Sequence, residues 1–212
     1  MRDIPMFTTE NGVASLIFKE IPYTSTAYVI IQSSLEPELF LRDCIAICRM
    51  AGAESVVGSG HVYLERYPFI TSIVEMQCMA ESLGETDAAL FPVQEKTLRT
   101  WQEIYNRKMH GVPNASHMSD ADAKKMLERG DGYFVHRGEK LLGIGIAAGE
   151  RIDAVASNVP GSGEDIVLAL GHAITSEIAK LEVASANRKA IGLYERLGFV
   201  IVREISRWYK IF

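Results

Sequence analysis

The chain has 212 residues, 48% of them hydrophobic and 23% charged, with a formal net charge of −5. This composition supports a globular chain with a substantial core, and the length admits one large domain or two small ones. Net acidity argues against nucleic acid as the main partner, because phosphate backbones select clustered Lys and Arg.

The longest clean apolar stretch, Leu141 to Gly149, is far below the roughly 18 residues a bilayer crossing needs, so no membrane partner is expected. Met1-Arg2-Asp3 leads into Pro5, Thr8, Thr9 and Glu10 without an apolar run. No signal peptide is expected, and the cytoplasm is the expected compartment. Cys44, Cys48 and Cys78 form no disulfide framework. Cys44 and Cys48 fall on the face of a predicted helix with Phe40, Leu41 and Ile45, where thiols act as small hydrophobes, and no metal is expected.

In chain order, Val13 to Ile21 and Thr26 to Gln32 are β-rich runs joined at Pro22-Tyr23-Thr24-Ser25, a predicted hairpin. Pro37 opens a helix to about Met50, and Gly52 follows as a stop. Ser55 to Val57 and Phe69 to Cys78 are strands, and polar Glu81 to Asp87 reads as a linker. Residues 1–86 are thus a smaller β-β-α-β-β segment. Residues 87–212 open with a strand at Ala88 to Pro92 and a helix from Glu95 to Met109, with Leu98, Trp101, Tyr105 and Met109 on one face. A loop to His117 follows. Ser119 with Asp122 caps a helix that ends at Arg129 before Gly130.

Strands are then expected at Gly132 to Arg137, Lys140 to Ala148 and Ile152 to Ser157. A Pro-Gly-Ser-Gly turn leads into a helix carrying Ile166, Leu170, Ala173 and Ile174. Strand Ile178 to Ala184, helix Asn187 to Leu197 and a strand pair within Val200 to Phe212 close the chain. Strands alternating with helices make the fold class α/β, a mixed α+β sheet. Leu64 to Phe69 (LERYPF) echoes Tyr194 to Phe199 (YERLGF), so the first segment is a candidate decayed repeat of the second.

Leu181 to Phe199 combines a strand, an Asn-opened amphipathic helix and a Gly stop. Leu181, Val183, Asn187, Ala190, Leu193, Tyr194, Gly198 and Phe199 occupy the fixed positions of L-x-V-x-x-x-N-x-x-A-x-x-L-Y-x-x-x-G-F. That run resembles the second signature of the GNAT (GCN5-related) N-acyltransferases, and the element order of 87–212 resembles their fold.

The resemblance implies acyl transfer from a CoA thioester, acetyl-CoA, to a primary amine of a small molecule or a protein, with no metal. A homodimer is compatible with it. It implies Tyr194 as the acid that protonates the departing thiolate, and Glu150 as a base, with Asp153 and Glu182 as alternatives. Strand residues Val155 and Ala156 would bond the pantetheine amides, from a strand that is bulged and splayed from its neighbour. His110 and His117 would border the acceptor site.

The family's pyrophosphate turn, Q/R-x-x-G-x-G/A, corresponds to Pro160-Gly161-Ser162-Gly163-Glu164-Asp165, with Asn187 opening the next helix. Amides at a helix N-terminus favour an anion, but Pro160 supplies no N–H, and Glu164 and Asp165 compete for the same positive end. Arg188 and Lys189 are candidate compensating charges. Two alternatives stay open: a GNAT-shaped binding or regulatory domain with weakened catalysis, and a tandem GNAT-like acyltransferase using another donor such as aminoacyl-tRNA.

Overall fold

The structure is a computed structural model and describes residues 5–112 and 115–212. Met1-Arg2-Asp3, and Pro113 and Asn114 of the loop ending at His117, lie outside the described residues. The first elements are β1 (Met6–Thr9), β2 (Gly12–Ile17), the helical turn α1 (Ile21–Thr24), β3 (Thr26–Ser34), α2 (Pro37–Met50), β4 (Ser55–Ser59) and β5 (Phe69–Met79). Then come β6 (Ala89–Pro92), α3 (Glu95–Met109), α4 (Asp120–Arg129), β7 (Gly132–Arg137), β8 (Lys140–Ala148) and β9 (Arg151–Ser157). The last are α5 (Gly163–Gly171), β10 (Ile178–Ala184), α6 (Arg188–Arg196) and β11 (Val200–Lys210). Two compact units result: one reaches Ser72 and is completed by Ile205–Phe212, and the other is Ile73–Glu204.

In the first unit, β1, β2 and β3 are antiparallel neighbours and β3 runs parallel to β4 from Thr26↔Ser55 to Ile30↔Ser59. The end of β11 closes on β4 through Tyr209↔Gly58. The expected hairpin is present, but β2 stops at Ile17 and the connection is the helical turn α1, which Pro22 suits at its start. α2 keeps its expected bounds. It buries Phe40, Leu41, Cys44 and Cys48 on the sheet, and Gly52 takes the positive φ of 95° that ends it. Burial pushes the Cys44 thiol up to about 12, with Cys48 and Asp43 adding to it, and pushes Cys48 up to about 11.

These thiols stay protonated in the folded chain at pH values where an unfolded chain ionises them. A group whose folded pKa is raised stabilises in full below its unfolded pKa and loses that contribution as pH rises. Unfolding midpoints in urea should therefore hold up to about pH 9 and decline from there toward 12. In a Cys44→Ala/Cys48→Ala variant the early part of that decline should be shallower, and what remains of it belongs in part to Cys78, whose thiol burial also pushes up. An identical pH slope in both proteins would show that the thiols contribute nothing to it.

In the second unit, the strand order is β5-β10-β9-β8-β7-β6, parallel only between β10 and β9. One face packs on α5 and α6 through Ile166, Leu170, Leu181, Val183, Ile191 and Phe199. The other packs on α3 and α4 through Trp101, Tyr105, Met126, Ile144, Ala154 and Ala156. Gly143 and Gly145 let α5 approach β8, since a Cβ at either would meet Ile166 or Leu170. α4 is capped as expected: the Ser119 hydroxyl accepts from Asp122 N–H at 3.1 Å, and Gly130 turns at φ 70°.

α5 ends at Gly171, so Ala173 and Ile174 lie beyond it. The expected final strand pair is one strand, β11. No Gly, Pro, Asn or Asp interrupts Val200 to Lys210 to turn it. Each unit contains the same connectivity: an antiparallel strand pair, a helix, then a strand parallel to the second of the pair. In one it is β2-β3-α2-β4, and in the other β8-β9-α5-β10.

Candidate active site

β9 and β10 pair only at Arg151↔Lys180 and Ile152↔Leu181. Past those residues the ladder stops, and the two walls bound a cavity of about 110 Å³. One wall carries Asp153, Ala154 and Val155, and the other Glu182, Val183 and Ala184. Asn187, Ala190 and Tyr194 of the α6 region and Tyr105, Met109, Val112 and Ala115 near the end of α3 complete the lining. Opposite β8, Ile152 pairs with Ala147 and Ala154 with Ile146, which makes Asp153 the extra residue of a β-bulge. The bulge shifts the phase of the strand: Ile152 packs toward α5 and α6, whereas Ala154 and Ala156 pack toward α3.

The bulged strand determines which backbone groups are free. Asn158 N–H bonds Leu142 O at 2.8 Å, and the carbonyls of Ala154 and Ala156 lie beside Gly145 and Gly143 of β8. Antiparallel alternation then points Val155 the other way, toward the side β10 has left. Of the two expected pantetheine contacts, Val155 therefore offers its N–H and C=O to the cleft. Ala156 uses its own on β8.

Tyr194 lies on the buried side of α6, its ring 5.9 Å from Phe199. Burial pushes its phenol up to about 12, so it holds its proton at neutral pH, as a general acid must. Asn187 caps α6, its side-chain oxygen accepting from Ala190 N–H at 3.2 Å. Gly198 adopts φ 88°, and Phe199 N–H closes on Tyr194 O at 3.0 Å. Much of the signature is thus structural: caps, a left-handed turn and core anchors.

At the turn before α5, Gly161 takes φ 87°. Ser162 is buried, its hydroxyl hydrogen-bonded to the carbonyls of Val159 (2.8 Å) and Leu142 (3.1 Å), so it points inward and not toward the helix end. The first-turn amides of Gly163, Glu164 and Asp165 have no intrahelical acceptor, by helix geometry. A Cβ on Gly163 would stand 3.0 Å from Leu193 of α6. Asp165 accepts from Arg137 at 2.5 Å, and Arg137 also binds Asp87 at 2.6 Å. That charge is therefore matched and drawn off the helix end. Glu164 is exposed, as are Arg188 and Lys189 in the first turn of α6.

Glu150 lies in the β8–β9 turn, paired with Lys180 at 2.8 Å and outside the cavity lining. Its alternatives Asp153 and Glu182 are both in the lining. His110 is exposed at the end of α3 and His117 lies within 3.4 Å of Asn106; neither lines the cavity. On its α3 side the cavity is instead walled by Tyr105, Met109, Val112 and Ala115. Tyr105 and Met109 had already stood out as the apolar stripe of α3.

Comparison with solved structures matches nearly the whole chain. A GCN5-related N-acetyltransferase from Sphaerobacter thermophilus aligns at TM-score 0.61 and 14% identity over 94% of this chain and 76% of its own. The fold is that of the GCN5-related N-acetyltransferases. A second GNAT structure, from Kribbella flavida, aligns at TM-score 0.58 and 11% identity, covering 99% of this chain and 90% of that one. A conserved protein of unknown function from Staphylococcus epidermidis gives TM-score 0.62 and 13% identity over 99% and 94%. No family model matches the sequence, and no curated protein matches it. The bulged, splayed β9 expected of a GNAT fold is present. Among the described residues no helix is long and apolar enough to cross a membrane, and no group of three His, Cys, Asp or Glu could hold a metal ion.

Proposed function

We propose that the second unit is an acyl-CoA-dependent N-acyltransferase that moves an acyl group, acetyl by preference, to a primary amine. The observation that carries this reading is the cleft between β9 and β10, with the protonated Tyr194 on its lining and the Val155 backbone unpaired along one wall. The open amides at the start of α5 suit a pyrophosphate, aided by the dipole of the helix. The Arg137–Asp165 pair answers the competition expected there, and exposed Arg188 and Lys189 add positive charge nearby.

In the chemistry this supports, the neutral amine nitrogen attacks the thioester carbonyl carbon. The C–N bond forms and the C–S bond breaks. Sulfur leaves as thiolate and takes the proton of Tyr194, and the proton shed by the nitrogen restores the phenol through water. Tyr194 thus acts as acid in a part-dry site, where its hydrogen bond is strengthened.

A binding domain without turnover is the second reading, favoured by Pro160 and by the inward turn of the Ser162 hydroxyl. Two measurements separate the readings. A micromolar site should stabilise the chain by about 4 kcal/mol at millimolar acetyl-CoA, read as a thermal shift, and amine-dependent release of free thiol should accompany it. A thermal shift without thiol release would favour the binding domain, and no shift at all would sink both. We also infer one donor site per chain. β3 and β4, which match β9 and β10 in connectivity, stay paired over five successive positions and open no slot. Calorimetric stoichiometry near one checks this, and two would refute it.

A further inference from the structure

Arg151 stands at the vertex from which β9 and β10 diverge, in the last stretch where the strands still pair. Its guanidinium reaches both walls: Nε donates to Asp153 Oδ1 at 2.9 Å and Nη2 to Glu182 Oε1 at 3.0 Å. Asp153 is the bulged residue of one wall. Glu182 is the first residue of the other wall past the pairing. Both line the cavity and Arg151 does not. Each carboxylate keeps its second oxygen without a hydrogen-bond partner among the described residues.

A planar guanidinium fork holds two carboxylates in one arrangement far better than a flexible ammonium would. Without it, two like charges would face each other across a narrow mouth and swing apart into solvent. The arrangement also discriminates between acceptors. An amine that carries its own carboxylate would meet two carboxylates and an arginine already engaged by both. An alkylammonium would meet two charged acceptors.

We propose that Arg151 is a positioning residue that sets Asp153 and Glu182 as a facing pair to receive the acceptor as an alkylammonium. The acceptor is therefore a free aliphatic amine or a lysine side chain, and not an α-amino acid. This deepens the acyltransferase reading and rests on it. The ammonium gives one proton to Asp153 or Glu182, which passes it to water, and the neutral nitrogen then attacks as above.

Donor-free calorimetry with 1,4-diaminobutane tests the carboxylate pair by itself. Saturable binding is expected in the native protein, weakened about tenfold or more in Arg151→Ala and in Asp153→Asn/Glu182→Gln, and partly restored in Arg151→Lys. Absence of saturable amine binding, or equal binding in native protein and Arg151→Ala, overturns the inference. Acetyl-CoA titrated into the same proteins should bind alike in all of them. Loss of donor binding alone, with amine binding intact, would overturn the acyltransferase reading and not this one.

With both substrates, Arg151→Ala should raise the amine KM about tenfold and lower kcat. Diaminobutane and Nα-acetyl-lysinamide, compared side by side, decide between free amine and lysine, and both should exceed glycine. A preference for glycine refutes the proposed class.

Discussion

Replacing Tyr194 by Phe is expected to lower kcat by about 10²–10³-fold while leaving acetyl-CoA affinity within about twofold. The variant removes one oxygen and keeps the ring, so packing on Phe199 at 5.9 Å persists and the fold is a fair constant. In the proposed reading, donor affinity rests elsewhere, on the Val155 backbone and the amides of α5. The loss therefore belongs in turnover and not in the donor dissociation constant. Because burial pushes the phenol up to about 12, the native pH–rate profile should show no basic limb from this group below about pH 11. Single-turnover thiol release read from pH 6 to 10 measures both. Unchanged turnover in Tyr194→Phe removes the acid role, and a basic limb near pH 9 assigns it to a different group.

The readable part of the molecule was what local chemistry specifies. Pro37 and Gly52 bracket α2, Ser119 and Gly130 bracket α4, and Asn187 and Gly198 bracket α6; all six act as the residue types imply. The signature from Leu181 to Phe199 was legible because a cap, a left-handed turn and two core anchors leave little choice of residue. What the sequence concealed was pairing at a distance. Nothing in Tyr209 or Ile211 announces that they complete the core of the first unit. β1 is four residues long, too short for an alternation to show.

The site divides the same way. Tyr194 and the turn glycines sit in motifs legible in the sequence, and the structure puts Tyr194 on the cavity lining and Gly161 in a left-handed turn. The contacts of Arg151 are not legible there, because they arise only when the bulge at Asp153 and the end of the β9–β10 pairing bring two carboxylates to one guanidinium. The doubt over Asp165 likewise needed Arg137, which is 28 positions earlier in the chain. Glu150, expected at the start of the strand, sits one residue short of β9, where it pairs with Lys180.

Trp101→Ala is expected to have the largest effect on stability, about 3–5 kcal/mol, the range for deleting a fully buried large aromatic. Trp101 is 0% exposed, its indole N–H donates to Tyr133 O at 2.9 Å, and its ring stacks on Tyr105 at 5.4 Å. Truncation opens a cavity beside β7, leaves the Tyr133 carbonyl short of a donor, and removes the support behind Tyr105. Tyr105 lines the cleft from the α3 side, so the damage should reach function by a route separate from Tyr194. The amine KM should rise while the donor constant stays. Trp101→Phe keeps the stack and loses the hydrogen bond, at about 1–2 kcal/mol. Urea unfolding followed by far-UV circular dichroism reads the stability of both variants. Losses of the same size in Phe and Ala would place the cost in the hydrogen bond, and the support of Tyr105 by packing would then fail as an account of this wall.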